Sequence, residues 1–381
     1  MIKIIRLGLI LLIWNSLGNK LSAQLTLPPS GDNQKSIVTQ YMGMVGITIN
    51  YSSPDVHGLN GEDRTGHIWG ELVPYGLSNQ QFGLSTDANP SPWRGGANEN
   101  TTINFTHDIL VEGKKLKAGI YGLHFIPGVE EWTVIFSSNS TAWGSFFYEP
   151  KDDVLRVTVK PEKNNYHEWL NYEFIDRQPS SCIVAMEWEN LKVPVKFSVE
   201  DIVELYINTM RNELKGETGF DYMAWVNAAN YCVQNNRNLN EALTWANYAI
   251  EEPFFGRKNF TSYSCKAGVL RALGKAAQSD SIMLVAINDP TASMMDIHYY
   301  ARGLQVQKRN KEALEIFLIN YKKYPKDYVT NLGLARGYSA NGDYSNALKY
   351  AKSGLALDPN PQVKQTLEDA IKKLEMKQDF N

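Results

Sequence analysis

The chain has 381 residues, of which 43% are hydrophobic and 21% are charged. This is the composition of a globular protein, and it excludes a collagen-like chain or long disordered regions. The 38 Lys and Arg residues against 41 Asp and Glu residues give a net charge of -3, so the chain lacks the basic excess of a general nucleic-acid-binding protein. At about 100–200 residues per domain, a multi-domain protein with two domains is expected.

Residues 1–23 have the pattern of a secretory signal peptide. Lys3 and Arg6 supply a positive start, and the apolar run Leu7–Trp14 follows. Leu21-Ser22-Ala23 then resembles a small-residue cleavage site. The apolar run is far shorter than the about 20 residues that a membrane-spanning helix needs, and no later stretch is long and apolar enough. We therefore expect a protein exported to the periplasm, with outer-membrane-associated and secreted locations as alternatives.

The three cysteines are widely spaced, at Cys182, Cys232 and Cys265. This spacing is neither that of a disulfide framework nor that of a zinc site, which needs close pairs. Cys232 and Cys265 fall in apolar helical stretches, so we expect small core residues. One disulfide between these two is the alternative in an oxidising compartment.

Residues 24–198 alternate between short apolar–polar strands and turn residues. Ile47–Tyr51 and Thr101–Ile109 each place apolar side chains on one face, as strands do. Tyr121–Phe125 and Trp132–Phe136 flank Pro127-Gly128, which predicts a hairpin. Further strands are predicted at Val154–Val159, Leu170–Phe174, Cys182–Trp188 and Leu191–Phe197. Short strands with frequent turns and no helical crossovers indicate an all-β antiparallel sandwich or barrel.

Residues 199–381 are helical and repeat with a period of 34. Four positions recur at that spacing (335−301, 347−313, 351−317 and 359−325). The residues Ala301, Ala313, Phe317 and Pro325 of one repeat correspond to Ala335, Ala347, Ala351 and Pro359 of the next. This is the tetratricopeptide period, with small residues where two helices approach closely. We expect an all-α tetratricopeptide-like array, with repeats at about 222–253, 260–290, 294–325 and 328–359 and a capping helix at 361–377.

A series of motifs in the β domain is similar to a known family. In chain order they are Tyr51-Ser52-x-Pro54, Ile68-Trp69-Gly70-x-Leu72-Val73-Pro74-Tyr75-Gly76, Trp93-Arg94-x-Gly96-Ala97-Asn98-Glu99-x-Thr101, Gly113-Lys114-x-Leu116, Ala118-Gly119-x-Tyr121 and Trp143-Gly144. Over residues 24–198 the chain resembles the family called domain of unknown function 2911, whose members are exported proteins common in Bacteroidota and often followed by tetratricopeptide repeats. The resemblance implies a fold region and export, but no activity. The chain departs from the family pattern in a long stretch, Leu77–Pro92, and in Gly95, where Thr is typical.

The loop from Trp93 to Thr101 is the candidate ligand-binding site. Arg94 offers a planar fork of donors, Asn98 offers both donors and acceptors, and Glu99 offers a carboxylate. The two glycines after Arg94 allow the backbone to expose its N–H groups. These side chains could bracket a small polar ligand, with Tyr75 and His124 completing the candidate set. The alternative is an Arg94–Glu99 ion pair that fixes a structural loop.

No metal ligands or cofactor are assigned from the sequence. The β domain has five histidines, none in a close metal-binding arrangement: His57, His67, His107, His124 and His167. The alternative is a metal site, which would form if the fold brought His107 and His124 near Glu99. A glycan is a second ligand class, because several tryptophans could line a sugar-binding face: Trp69, Trp93, Trp132, Trp143, Trp169 and Trp188.

Two functions follow from these patterns. The first is a non-enzymatic binding protein, in which the β domain recognises a small polar ligand or an envelope component and the repeats hold a protein partner. An array that only scaffolds the β domain is the alternative role of the repeats. The second function is a periplasmic hydrolase or lyase, with Glu99 as acid/base and Arg94 as anion clamp beside Asn98.

Overall fold

The structure, a computed structural model, describes residues 33–58 and 60–381. The predicted signal peptide therefore lies outside the described residues. The chain divides into a first compact unit that ends at Ile202 and a second, Val203–Asn381. Within the described ranges, no helix combines the length and the apolar character that crossing a bilayer requires.

The described part of the first unit consists of antiparallel strands in two sheets. In chain order these strands are β1 (Gln34–Met42), β2 (Val45–Ser53), β3 (Thr102–Phe105), β4 (Ile109–Val111), β5 (Lys114–Leu116), β6 (Gly119–Ile126), β7 (Trp132–Ser137), β8 (Asp153–Val159), β9 (Glu162–Gln178) and β10 (Ser181–Ser198). The larger sheet has the order β1-β2-β3-β6-β7-β8, and the smaller has the order β5-β4-β10-β9. The predicted antiparallel β fold is thus confirmed, in its sandwich form.

The core lies between the two sheets. Alternate residues of the larger sheet, such as Ile49 and Phe105, are buried against residues of β10, such as Phe197. The ring centroids of Phe105 and Phe197 are 5.6 Å apart, and those of Phe136 and Phe197 are 6.3 Å apart. Burial of such large apolar side chains, at roughly 25 cal/mol per Å², holds the two sheets together.

The prediction of one strand over Thr101–Ile109 is wrong. The chain turns at Thr106–Asp108, so that β3 ends in the larger sheet and β4 begins in the smaller one. Thr106 Oγ1 accepts a hydrogen bond from the Gly46 N–H at 2.8 Å and fixes this turn. The alternation runs through the turn because Phe105 and Ile109 both face the same core, at 1% and 2% exposed.

The predicted strands Cys182–Trp188 and Leu191–Phe197 form one long strand, β10. Its pairing with β9 shifts register around Glu189, which has a positive φ of 52°. Such an irregularity lets a long strand bend without ending. The predicted Leu170–Phe174 segment likewise lies inside the longer β9.

The second unit is a helical array. Its described helices are α1 (Ile202–Glu213), α2 (Tyr222–Gln234), α3 (Leu239–Glu251), α4 (Phe260–Ala272), α5 (Ala276–Asn288), α6 (Met294–Val306), α7 (Asn310–Lys323), α8 (Tyr328–Ala340), α9 (Tyr344–Leu355) and α10 (Pro361–Glu375). The starts of α4, α6 and α8 are 34 residues apart (294−260 and 328−294), and so are those of α5, α7 and α9 (310−276 and 344−310). The predicted tetratricopeptide-like fold is confirmed.

Small residues allow the helices to pack closely at the repeated positions. Ala301, Ala313, Ala335 and Ala347 are fully buried, and Phe317 fills the space between helices. A Cβ at Gly333 would lie 2.6 Å from the Phe317 ring, so this position of α8 requires glycine. The periodic small residues in the sequence are therefore the contacts that set helix spacing.

All three cysteines are buried free thiols. The Sγ of Cys265 lies 3.7 Å from the carbonyl oxygen of Val226, in the core of the first helices. The core interpretation of Cys232 and Cys265 thus matches their positions, and the alternative disulfide between them is not formed.

Candidate functional site

The loop that follows Trp93 is held against both sheets. Trp93 exchanges two backbone hydrogen bonds with Phe125 of β6, each 2.8 Å long. The Gly95 carbonyl accepts hydrogen bonds from Tyr172 Oη of β9 at 2.7 Å and from Thr101 Oγ1 at 3.2 Å. These bonds fix the first part of the loop through its backbone and the Thr101 hydroxyl.

Gly95 is required by this geometry. Its φ is 64°, in the left-handed region that favours glycine. A Cβ there would lie 2.6 Å from the Phe125 ring and 2.7 Å from the Tyr172 hydroxyl. The departure from the Thr that is typical of the family therefore has a local steric reason in this chain.

The Arg94 side chain lies between Gly144 and Phe146. Its guanidinium carbon lies 4.7 Å from the centroid of the Phe146 ring, and Gly144 lies against the guanidinium. One nitrogen, Nη1, donates to the Asn98 carbonyl at 2.5 Å. Partial burial lowers the pKa of the Arg94 guanidinium below its ordinary value. Arginine remains charged in proteins, so this is a partly desolvated cation.

A cleft of about 320 Å³ opens beside Arg94. Its walls combine the aromatic rings of Trp93 and Trp188 with polar side chains and the backbone of the loop. The lining residues are Asn33, Pro54, Arg64, Leu72, Val73, Gln80, Trp93, Arg94, Gly96, Ala97, Asn98 and Trp188. Polar side chains and the loop backbone supply most of the surface that a ligand would meet in this cleft.

The two arginines of the cleft differ in their partners. Arg64 forms an ion pair with the buried Asp55 at 3.2 Å and a second one with Glu62. Arg94, in contrast, forms no ion pair with any residue in the described ranges 33–58 and 60–381. Arg94 therefore contributes a positive charge to the cleft that Asp55 and Glu62 do not offset.

Glu99 lies on the same loop, but its side chain points toward β1 and β2. Its carboxylate pairs with Lys35 of β1 and accepts a hydrogen bond from Ser52 Oγ of β2 at 3.2 Å. Partial burial favours the neutral acid, but the hydrogen bond and charge of Lys35 outweigh it, and the pKa of Glu99 is lowered. The predicted alternative of an Arg94–Glu99 ion pair is not what the structure shows.

His124 and Tyr75 lie outside the cleft lining. His124 is 2% exposed, and its Nδ1 lies 2.9 Å from Ser145 Oγ. Burial, helped by the nearby charge of Arg94, lowers the pKa of His124 to about 4, so the ring is neutral at pH 7. Tyr75 is 45% exposed and packs on Gly70. Of the five candidate residues, the structure brings together Arg94 and Asn98.

Two residues of the site, Gln80 and Phe146, were not predicted from the sequence, and Trp188 was predicted only as one of several tryptophans that could bind a glycan. Trp188 comes from β10, Gln80 comes from the Leu77–Pro92 stretch, and Phe146 supports Arg94 from behind. The Leu77–Pro92 stretch folds back on itself through bridges between Ser78 and Ser91 and between Phe82 and Ser85. No sequence signal marks these contacts except the Trp143-Gly144 motif, which ends two residues before Phe146.

Four of the six candidate tryptophans form a cluster, whereas Trp143 and Trp169 are exposed outside it. Trp69, Trp93, Trp132 and Trp188 contact one another with ring centroids 5.3–6.4 Å apart. Trp132 and Trp188 are each 1% exposed, so most of this aromatic surface is core. Among the described residues, no three His, Cys, Asp or Glu side chains cluster as metal ligands would.

Residues 33–197 match the model of the family described as "Protein of unknown function (DUF2911)", which is the family that the motifs of the β domain resemble. Comparison with curated proteins finds no match. Among solved structures, the chain is similar over part of its length to YrrB, described as a TPR protein with an unusual peptide-binding site (14% identity, 44% of this chain, 84% of that chain, TM-score 0.30). It is also similar to PilF of Pseudomonas aeruginosa (19% identity, 41% of this chain, 69% of that chain, TM-score 0.30).

Proposed function

We propose that the protein is an exported, non-enzymatic binding protein whose β unit holds a small anionic ligand in the cleft beside Arg94. The observation that carries this proposal is Arg94 itself, a partly desolvated guanidinium on a cleft wall with no carboxylate partner in the described chain. A cation taken partly out of water is costly unless an anion compensates it. Export is inferred from the pattern of residues 1–23 alone, and the periplasm is the proposed location.

The cleft suggests the chemistry of the ligand. Arg94 uses one of its five N–H donors on Asn98, which leaves donors for a carboxylate or a phosphate. The half-buried Trp93 adds an apolar surface on which a ring or a short carbon chain can pack. A small organic anion, such as an acidic sugar or a hydroxy acid, combines both features.

Binding is favoured over the alternative of a hydrolase or lyase. A general acid needs a carboxyl group whose pKa is raised toward neutrality and which faces the substrate. The pKa of Glu99 is instead lowered, and its carboxylate is held by Lys35 and Ser52 outside the cleft lining. His124, the second candidate, is buried and bonded to Ser145.

The test is a thermal-shift screen of the full chain with phosphate, citrate and glucuronate. A ligand at about 100 times its Kd adds about 2.7 kcal/mol to the free energy of unfolding, a rise of several degrees in Tm. Arg94→Gln is expected to abolish the shift, and Arg94→Lys, which keeps the charge but loses the fork, to reduce it. The matched control is Arg177→Gln, which removes an arginine bonded only to the exposed Gln40.

We further propose that the repeats hold a protein partner. Repeat arrays of this kind present extended surfaces along which successive repeats offer equivalent side chains. The two proposals are independent, because the cleft lies in the first unit and the repeats form the second.

A further inference from the structure

The first helices of the last two repeats carry polar side chains at equivalent positions. Arg302 and Gln305 of α6 correspond to Arg336 and Ser339 of α8, at the repeat spacing of 34 (336−302 and 339−305). Helices α6 and α8 are neighbours in the array. These four side chains therefore form one continuous surface, which we call the arginine band.

The two arginines of the band lack acidic partners. Neither forms an ion pair within residues 33–58 and 60–381, and Arg302 donates instead to Gln305 Oε1 at 2.7 Å. Burial and the charge of Arg302 lower the pKa of Arg336 to about 10, against the opposing charge of Asp379. Two neighbouring positive charges, one of them partly desolvated, form a surface that an anion would stabilise.

A segment of the chain itself lies on this surface. After α10 the backbone reverses at Lys377, whose φ is 55°, and Gln378 N–H donates to the Lys373 carbonyl at 3.0 Å. This left-handed residue after a helix is the C-terminal cap that commonly redirects a chain. The reversal carries Asp379–Asn381 onto α8.

Each residue of the Asp379–Asn381 segment meets one part of the band. Ser339 Oγ donates to Asp379 Oδ1 at 2.6 Å, and the guanidinium carbon of Arg336 lies 5.3 Å from the Phe380 ring centroid. Arg302 Nη1 donates to Asn381 Oδ1 at 3.2 Å. Asn381 Nδ2 in turn donates to the Arg336 carbonyl at 3.0 Å. The segment thus shows which chemistry the band accepts, namely a carboxylate, an aromatic ring and a polar group in succession.

We propose that the arginine band is a binding site for an acidic peptide segment with a central aromatic residue, supplied by a partner protein, and that Asp379–Asn381 occupies the site in cis until it is displaced. The charges identify the occupant. Asp379 has the only acidic side chain of the segment, and it bonds Ser339 without an ion pair to either arginine. A more acidic segment would place carboxylates on Arg302 and Arg336 and would therefore replace the cis segment. This inference deepens the proposed role of the repeats and does not depend on the cleft.

The test uses two fluorescein-labelled peptides and fluorescence anisotropy. One has the sequence of residues 377–381, and the other carries Gln378→Glu and Asn381→Asp. In the full chain, the double substitution Asp379→Ala and Phe380→Ala weakens the cis segment. We expect the acidic peptide to bind this double variant about tenfold more tightly than it binds the unaltered chain. We also expect the acidic peptide to bind the double variant more tightly than the peptide of unaltered sequence binds it.

Adding Arg302→Gln and Arg336→Gln to the double variant is expected to weaken binding of the acidic peptide by about tenfold or more, because both charge-assisted contacts are lost. The matched control adds Arg257→Gln, which removes an exposed guanidinium in the same unit that donates to the Gly256 carbonyl. Melting curves of each variant show whether the fold is retained.

Three results would overturn the inference. The first is equal affinity of the acidic peptide for the double variant and for the unaltered chain. The second is affinity for the acidic peptide that remains after both arginine substitutions. The third is a concentration-dependent dimer of the unaltered chain that dissociates when the peptide is added. The last result would identify the occupant as a second copy. None of them bears on the anion screen at Arg94, so the two proposals fail separately.

Discussion

The guanidinium of Arg94 occupies the space that a side chain at Gly144 would need. The two residues are far apart in the sequence, yet each belongs to one of the motifs of the β domain, Trp93-Arg94 and Trp143-Gly144. Their contact explains why the two motifs act as one structural feature: the absence of a Cβ at position 144 lets Arg94 settle between Gly144 and Phe146. The proposed anion site therefore depends on a residue that touches no ligand.

We predict that Gly144→Ala displaces Arg94 and weakens anion binding as much as Arg94→Gln does. The φ of Gly144 is 60°, so the substitution also costs about 1–2 kcal/mol in backbone strain. Gly113→Ala is the control, since Gly113 has a φ of 78° and open space around its missing Cβ. Calorimetric titration should show loss of binding in the first variant alone. Normal binding by Gly144→Ala would mean that Arg94 is not held by this contact.

Gly95→Thr, which installs the residue typical of the family, should destabilise this chain. A β-branched residue at a φ of 64° is strained, and its side chain would collide with Phe125 and Tyr172. We expect a loss of about 2–4 kcal/mol in the free energy of unfolding, measured by urea denaturation. Gly113→Thr has the strain without the collision and should lose about 1–2 kcal/mol. Equal losses in both variants would show that the loop relaxes around the added side chain.

His124 should make the first unit less stable in mild acid. Its pKa is about 4 when folded and 6.5 in the unfolded chain, so the unfolded state binds a proton between these values while the folded state does not. The free energy of unfolding is therefore expected to fall, by up to about 3 kcal/mol, as the pH decreases from 6.5 to 4. The urea midpoint of unfolding should depend less steeply on pH in His124→Gln than in the unaltered chain. An unchanged slope would assign the acid sensitivity to other groups.

The three thiols should be unreactive in the folded protein. Burial raises the pKa of Cys182 and Cys232 to about 11 and that of Cys265 to about 12, so little thiolate forms at pH 8. We expect an aromatic disulfide reagent to modify none of them within minutes and all three after addition of urea. Two unreactive thiols in urea would indicate the disulfide that the structure lacks.

Periodic features of the fold could be predicted from the sequence because they depend on neighbouring residues. The 34-residue spacing of small residues predicted the helix pairs, since Ala301 and Ala335 lie where helices touch. Apolar alternation predicted the strands for the same reason. It failed at Thr106–Asp108, where the chain changes sheets while Phe105 and Ile109 keep facing one core.

The candidate site could be predicted only in part, because its properties depend on contacts between distant segments. The loop itself was identified from residue types, and Arg94 and Asn98 do meet on the cleft. Whether Glu99 would pair with Arg94 depended on Lys35, which lies on another strand. The burial of His124 depended on Ser145 and Tyr148, and no local pattern reports such contacts.

The central claim, an anion site at Arg94, is tested most directly by locating a bound anion. A crystal of the full chain soaked in selenate, an anomalous scatterer of phosphate shape, would show its position. We predict a selenium peak within hydrogen-bond distance of the Arg94 guanidinium, beside Trp93 and Asn98, that is absent from crystals of Arg94→Gln. Selenate bound only at surface lysines, with the cleft holding none at any concentration tested, would contradict the account.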